Sequence, residues 1–104
     1  MFIYEKIIRN YSNNKKEIIC PILDKDEFCI YILECADGSF YVGFSNNLSE
    51  RLASHSSGAG AEYTKKRLPL KLIYCEIFKE RIFALKRERQ LKGWSRKKKE
   101  KLII

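Results

Sequence analysis

Five side chains in this sequence combine types that can act on a phosphate ester. Arg51 and His55, the only histidine, are four residues apart and share one face of any helix that carries them. A guanidinium grips phosphate oxygens through a two-pronged fork, and an imidazole moves protons near neutral pH. Tyr31 and Tyr41 lie in two separate apolar runs. A phenol can serve as a base only if its surroundings pull its pKa down from about 10. Glu88 lies three residues after Leu85 and three before Leu91, close to an apolar stripe and among Lys86, Arg87, Arg89 and Lys92. A carboxylate in such a place is costly unless it is paired or bound to metal. One carboxylate facing a basic groove can hold a hard cation such as Mg2+, with water and phosphate completing the shell. Each residue also has an ordinary reading. Tyrosine is common in strands, a lone histidine is often structural, and Glu88 has bases on both sides to pair with.

The elements that must position these groups follow from the apolar pattern. Phe28–Cys35 is a nearly continuous β-prone run, and Phe40–Phe44 reads as its returning strand. Between them Asp37-Gly38 is a strong hairpin signal that is compatible with two registers. A two-residue turn pairs Leu33 with Val42 and sends Tyr31 and Tyr41 to opposite faces. A three-residue loop, Ala36-Asp37-Gly38 with Gly38 left-handed, forms a G1 bulge, pairs Leu33 with Tyr41 and Tyr31 with Gly43, and places both phenols on one face. Ser45, Asn46 and Asn47 are candidate N-caps, with Glu50 three after Asn47, for a helix through Leu48, Arg51, Leu52 and His55. Ser56–Gly60 ends it. Leu70–Phe78 is a third strand, Lys79–Lys92 a second helix, and Arg96–Ile104 a short basic helix after Gly93 and Ser95. The predicted fold is α+β, a small three-stranded mixed or antiparallel sheet flanked by helices in the order β-β-α-β-α-α.

Residues 1–27 read as an extension ahead of one domain at 28–104. Phe2–Ile8 and Glu17–Leu23 flank a turn signal at Tyr11–Lys16, which suggests an added hairpin, with a helical first segment as the alternative. The charge is uneven. Residues 1–27 hold five bases and five acids; 28–64 hold one base and four acids, net −3; 65–104 hold fifteen bases and four acids, net +11. The total of +8 points to a polyanionic partner. No apolar run approaches the roughly 18 to 20 residues of a membrane span, and no secretory signal is visible. Cys20, Cys29, Cys35 and Cys75 contain no Cys-x-x-Cys and read as apolar thiols of a reducing cytoplasm.

The order Cys29-Ile30-Tyr31, Tyr41-Val42-Gly43, Arg51, His55, Glu88 resembles the GIY-YIG nucleases. The stretches Tyr31–Tyr41 and Lys92–Lys99 are most similar to the small single-domain bacterial branch. Cys29 stands where the family has its first glycine, Val42 replaces isoleucine, and Phe44 occupies a position where larger members often carry lysine. The resemblance implies a phosphodiesterase that uses Mg2+ or Mn2+ in a one-metal mechanism on DNA, with the associations of DNA repair. It implies Tyr31, Tyr41, Arg51, His55 and Glu88 as catalytic residues, Glu88 as metal ligand, and Tyr41 or His55 as base. Lys65, Lys66, Arg67, Arg87, Lys92, Arg96, Lys97 and Lys98 are the expected nucleic-acid contacts. So small a domain has no room for its own specificity module, so recognition of branched or damaged DNA structure, or a protein partner that supplies specificity, is expected. The alternative is a binding module on the same fold that does not cleave. A basic ribosome- or RNA-associated protein is a blander third reading, one that would not need the tyrosine hairpin or the Arg51/His55 pair.

Overall fold

The two apolar runs at the start of the domain fold onto each other in a computed structural model that describes residues 6–9 and 17–103. They form β2 (Phe28–Glu34) and β3 (Phe40–Ser45), antiparallel. The connection is the three-residue loop. The Cys35 N–H donates to the Ser39 carbonyl at 2.8 Å, and the Gly38 N–H to the Cys35 carbonyl at 2.9 Å. Gly38 has φ of 84°, the left-handed conformation that a Cβ disfavours. The register is therefore the bulged one, with Leu33 opposite Tyr41 and Tyr31 opposite Gly43.

Around this hairpin stand β1 (Lys6–Arg9), α1 (Leu48–Ser56), α2 (Glu62–Lys65), β4 (Lys71–Phe78), α3 (Arg81–Lys92) and α4 (Arg96–Ile103). The sheet is antiparallel throughout, in the order β1-β4-β2-β3, so the expected three strands are joined by a fourth. Among the described residues the extension forms no hairpin of its own. β1 pairs with β4, while residues 17–23 form no strand. Pro21 lacks the N–H a ladder needs. Ile18, Cys20 and Leu23 instead pack on the apolar face of the sheet, and the Ile18 N–H donates to the Leu72 carbonyl at 2.8 Å. Phe2–Tyr4 and the turn expected at Tyr11–Lys16 lie outside the described residues.

Strand alternation sorts the core into two layers. Ile30, Ile32, Val42, Tyr74 and Phe78 meet Ala84 and Leu91 of α3 and Ile103 of α4. Cys29, Tyr31, Leu33, Cys75 and Ile77 face the other way, against Leu48 of α1. Asn47 is the N-cap that α1 uses; its Oδ1 accepts from the Glu50 N–H at 3.3 Å. The α3 side also holds a buried ion pair. Glu76 on β4 is fully buried; it accepts the Tyr74 hydroxyl and a two-pronged Arg87 guanidinium, Nε at 2.8 Å and an Nη at 2.9 Å. Arg87, expected to grip nucleic acid, is thus turned inward, its side chain 11% exposed.

Removing one partner of a buried pair strands the other charge. Arg87→Met is expected to destabilise the protein by about 3–5 kcal/mol, read as a lower denaturation midpoint. Adding Glu76→Gln should recover much of that loss, because no bare carboxylate then remains inside.

Candidate active site

The bulged hairpin delivers Tyr31 and Tyr41 to the face covered by α1, whose Arg51 and His55 point the same way. The Tyr31 hydroxyl lies 3.0 Å from His55 Nε2, and both residues are fully buried. The Tyr41 ring meets His55 edge to face, with centroids 5.5 Å apart. The Arg51 guanidinium neighbours both phenols, and Tyr31 above all holds its pKa above the ordinary arginine value. Arg51 and Tyr41 are only half-buried, so they form the part of the group that reaches solvent. Tyr41 continues outward into a stack. Tyr63 lies 6.2 Å from it and near parallel, and the Arg67 guanidinium covers Tyr63 at 3.9 Å.

Two glycines make this packing feasible. A Cβ at Gly43 would overlap the phenol end of Tyr31, and one at Gly60 would overlap the His55 ring. The second partner of His55 carried no sequence signal. Nδ1 lies 2.9 Å from the hydroxyl of Thr64, a fully buried residue on α2. That helix is four residues long and falls in a stretch to which the sequence pattern assigns no element.

Glu88 is placed differently. It belongs to α3, on the other layer of the sheet, and its carboxylate lies 3.3 Å from Lys92. Arg81 and Glu88 are seven apart and share a helix face, and the Arg81 guanidinium is 5.7 Å from the Phe44 ring of β3. The core face of α3 packs on the layer of the sheet opposite the one that α1 covers. Glu88 offers a hydrated Mg2+ one hard oxygen, the small protein share such an ion accepts. Among the described residues no cluster of three or more His, Cys, Asp or Glu forms a protein cage for a metal.

The expected nucleic-acid contacts divide. Lys65 pairs with Glu62 at 2.9 Å, and Arg67 with Asp37 at 3.1 Å. Arg96 pairs with Glu100 at 3.1 Å and covers the Phe40 ring at 3.8 Å. Lys98 sits 4.4 Å over Trp94. Lys66, Lys92 and Lys97 are exposed.

Burial, and then the Arg51 charge, hold His55 below its ordinary pKa of 6.5. The unfolded chain takes up that proton first as the pH falls, so the unfolded state binds more protons below about 6.5 and folding stability declines there. Denaturation between pH 7 and pH 5 is expected to show this loss. His55→Asn, which removes the only histidine, should remove the part of the slope nearest pH 6.5.

The comparisons with known proteins agree with this architecture. Residues 27–101 match the model of the GIY-YIG catalytic domain. A UPF0213 protein of Bacillus pumilus is 44% identical over 81 residues, covering 78% of this chain and 83% of that one. A UPF0213 protein of Staphylococcus saprophyticus is 47% identical over 78 residues, 75% of this chain and 95% of its own. Two solution NMR structures are similar, each 40% identical. The UPF0213 protein of Bacillus halodurans has a TM-score of 0.51 over 74% of this chain and 82% of its own. A protein of E. faecalis has a TM-score of 0.57 over 78% and 86%. The match spans both tyrosines, Arg51, His55 and Glu88, and the chain belongs to the GIY-YIG family.

Proposed function

We propose that this chain is a metal-dependent DNA endonuclease that acts in the cytoplasm, with residues 28–104 as the nuclease domain and 1–27 as an extension. One observation carries the reading: two phenols gathered on one imidazole at the edge of the sheet, with a cationic guanidinium beside them. A pure polyanion binder has no use for that arrangement, whereas phosphodiester hydrolysis needs a fixed cation over the non-bridging oxygens and a group that orients water. Arg51 takes the first role. Burial favours Tyr41 over His55 for the second, because both His55 nitrogens are already bonded inside the protein. Tyr31 and His55 then work from behind, holding Arg51 and Tyr41 in place. Glu88 would hold the divalent ion, Mg2+ or Mn2+, which neutralises charge at the leaving oxygen when bound. The exposed Lys66, Lys92, Lys97 and Lys98 give a grip on DNA that does not depend on sequence, in keeping with recognition of branched or damaged structure or with a partner that supplies specificity.

A second reading has its own support. Glu88 is ion-paired to Lys92 on α3, whose core face packs on the opposite layer of the sheet from Tyr31, an arrangement that suits a module that binds DNA and cleaves poorly. Purified protein incubated with branched and plasmid DNA in Mg2+ or Mn2+ separates the two. The nuclease reading expects cutting that falls about 100-fold or more in Arg51→Ala and is lost in Glu88→Ala while DNA binding by the latter persists. Binding without cutting, or equal cutting by wild type and both variants, would reject it.

A further inference from the structure

The protons of the buried chain behind Arg51 can be assigned by elimination. The Ala61 carbonyl only accepts. Thr64 Oγ1 lies 3.0 Å from it, and two oxygens at that separation need a proton between them, which only the Thr64 hydroxyl carries. The lone pairs of Thr64 then face His55 Nδ1, 2.9 Å away, so Nδ1 bears the ring proton. Nε2 is bare and accepts from the Tyr31 hydroxyl at 3.0 Å. With that proton committed to His55, the Tyr31 oxygen keeps its lone pairs free, the polarity that suits the neighbouring Arg51 guanidinium, which can only donate. The three bonds run one way, from Tyr31 to Ala61, and each polarises the next.

We propose that Thr64 is a positioning residue, which fixes the His55 tautomer and through Tyr31 holds the Arg51 guanidinium ready for a phosphate. The opposite tautomer would put an Nε2–H on the Tyr31 oxygen and turn the Tyr31 proton toward Arg51, donor against donor. Gly60 belongs to the same device. The loop before α2 crosses the His55 ring so closely that a Cβ at position 60 would overlap Nδ1, and this approach lets Thr64 reach that nitrogen. The role of Arg51 rests on the nuclease reading; the tautomer does not.

Because His55 is the only histidine, its ring nitrogens can be observed alone by 15N NMR at neutral pH. Wild type and Thr64→Ser are expected to show a protonated Nδ1 and a bare Nε2. In Thr64→Val, which keeps the volume but cannot accept, the two nitrogen resonances should exchange roles. A protonated Nε2 in wild type, or an unchanged tautomer in Thr64→Val, would overturn the proposal. Should Thr64→Val fail to fold, the wild-type and Thr64→Ser spectra decide by themselves. Where cutting is observed, kcat should fall about 10- to 100-fold in Thr64→Val and recover in Thr64→Ser. If the protein does not cut DNA at all, the spectra still test the tautomer, so failure of the nuclease reading is distinct from failure of this one.

Discussion

One left-handed residue governs the geometry of the site. Side chains on a strand alternate faces, so a shift of one residue in the β2–β3 pairing would move Tyr41 to the α3 side and leave Tyr31 opposite a residue with a Cβ. Gly38, with its φ of 84°, closes the three-residue loop that selects the other register. Asp37 supports it by accepting the Ser39 N–H at 3.0 Å and the Arg67 Nε at 3.1 Å. From that pairing follow the seat of the Tyr31 ring against Gly43, the reach of its hydroxyl to His55, and the meeting of both tyrosine rings with that histidine.

The sheet separates two kinds of polar chemistry. On the α3 side, Glu76, Arg87 and Tyr74 form a charged cluster inside the core, and it orders α3 against β4. On the α1 side the buried run from Tyr31 through His55 to Thr64 is neutral: a phenol, an imidazole and a hydroxyl. Their only cation, Arg51, stands at the rim. A neutral network costs less to bury than a charged one, and its directionality can be passed to the surface without a net charge in the interior.

Much of this could be read from the sequence, and the exceptions have physical reasons. The strands, the Asn47 cap and the burial of Leu91 on α3 follow from alternation, capping chemistry and helical period, whereas Ile82, which the same period puts with Leu85 and Leu91, is exposed. The hairpin register did not, because Asp-Gly suits either turn and the choice is made by packing across the sheet. Thr64 gave no signal, since a threonine nine residues after a histidine looks like any loop residue until the chain folds back over Gly60. Arg87 looked like one base among many in a basic segment, and only its approach to Glu76 sets it apart from Lys86 and Arg89. The side of the sheet on which Glu88 stands depends on how α3 packs, which its own period cannot specify.

β1 bears on a different property of the molecule. It lies outside the matched family domain, and its backbone pairs along β4, a strand in which Leu72 to Phe78 are all buried. Without β1, that apolar, β-prone strand would be a bare sheet edge, the kind of surface on which chains add to one another and aggregate. β1 thus covers the sheet edge opposite β3, the strand that carries Tyr41. A chain trimmed to its catalytic portion would risk precipitation even with every site residue in place.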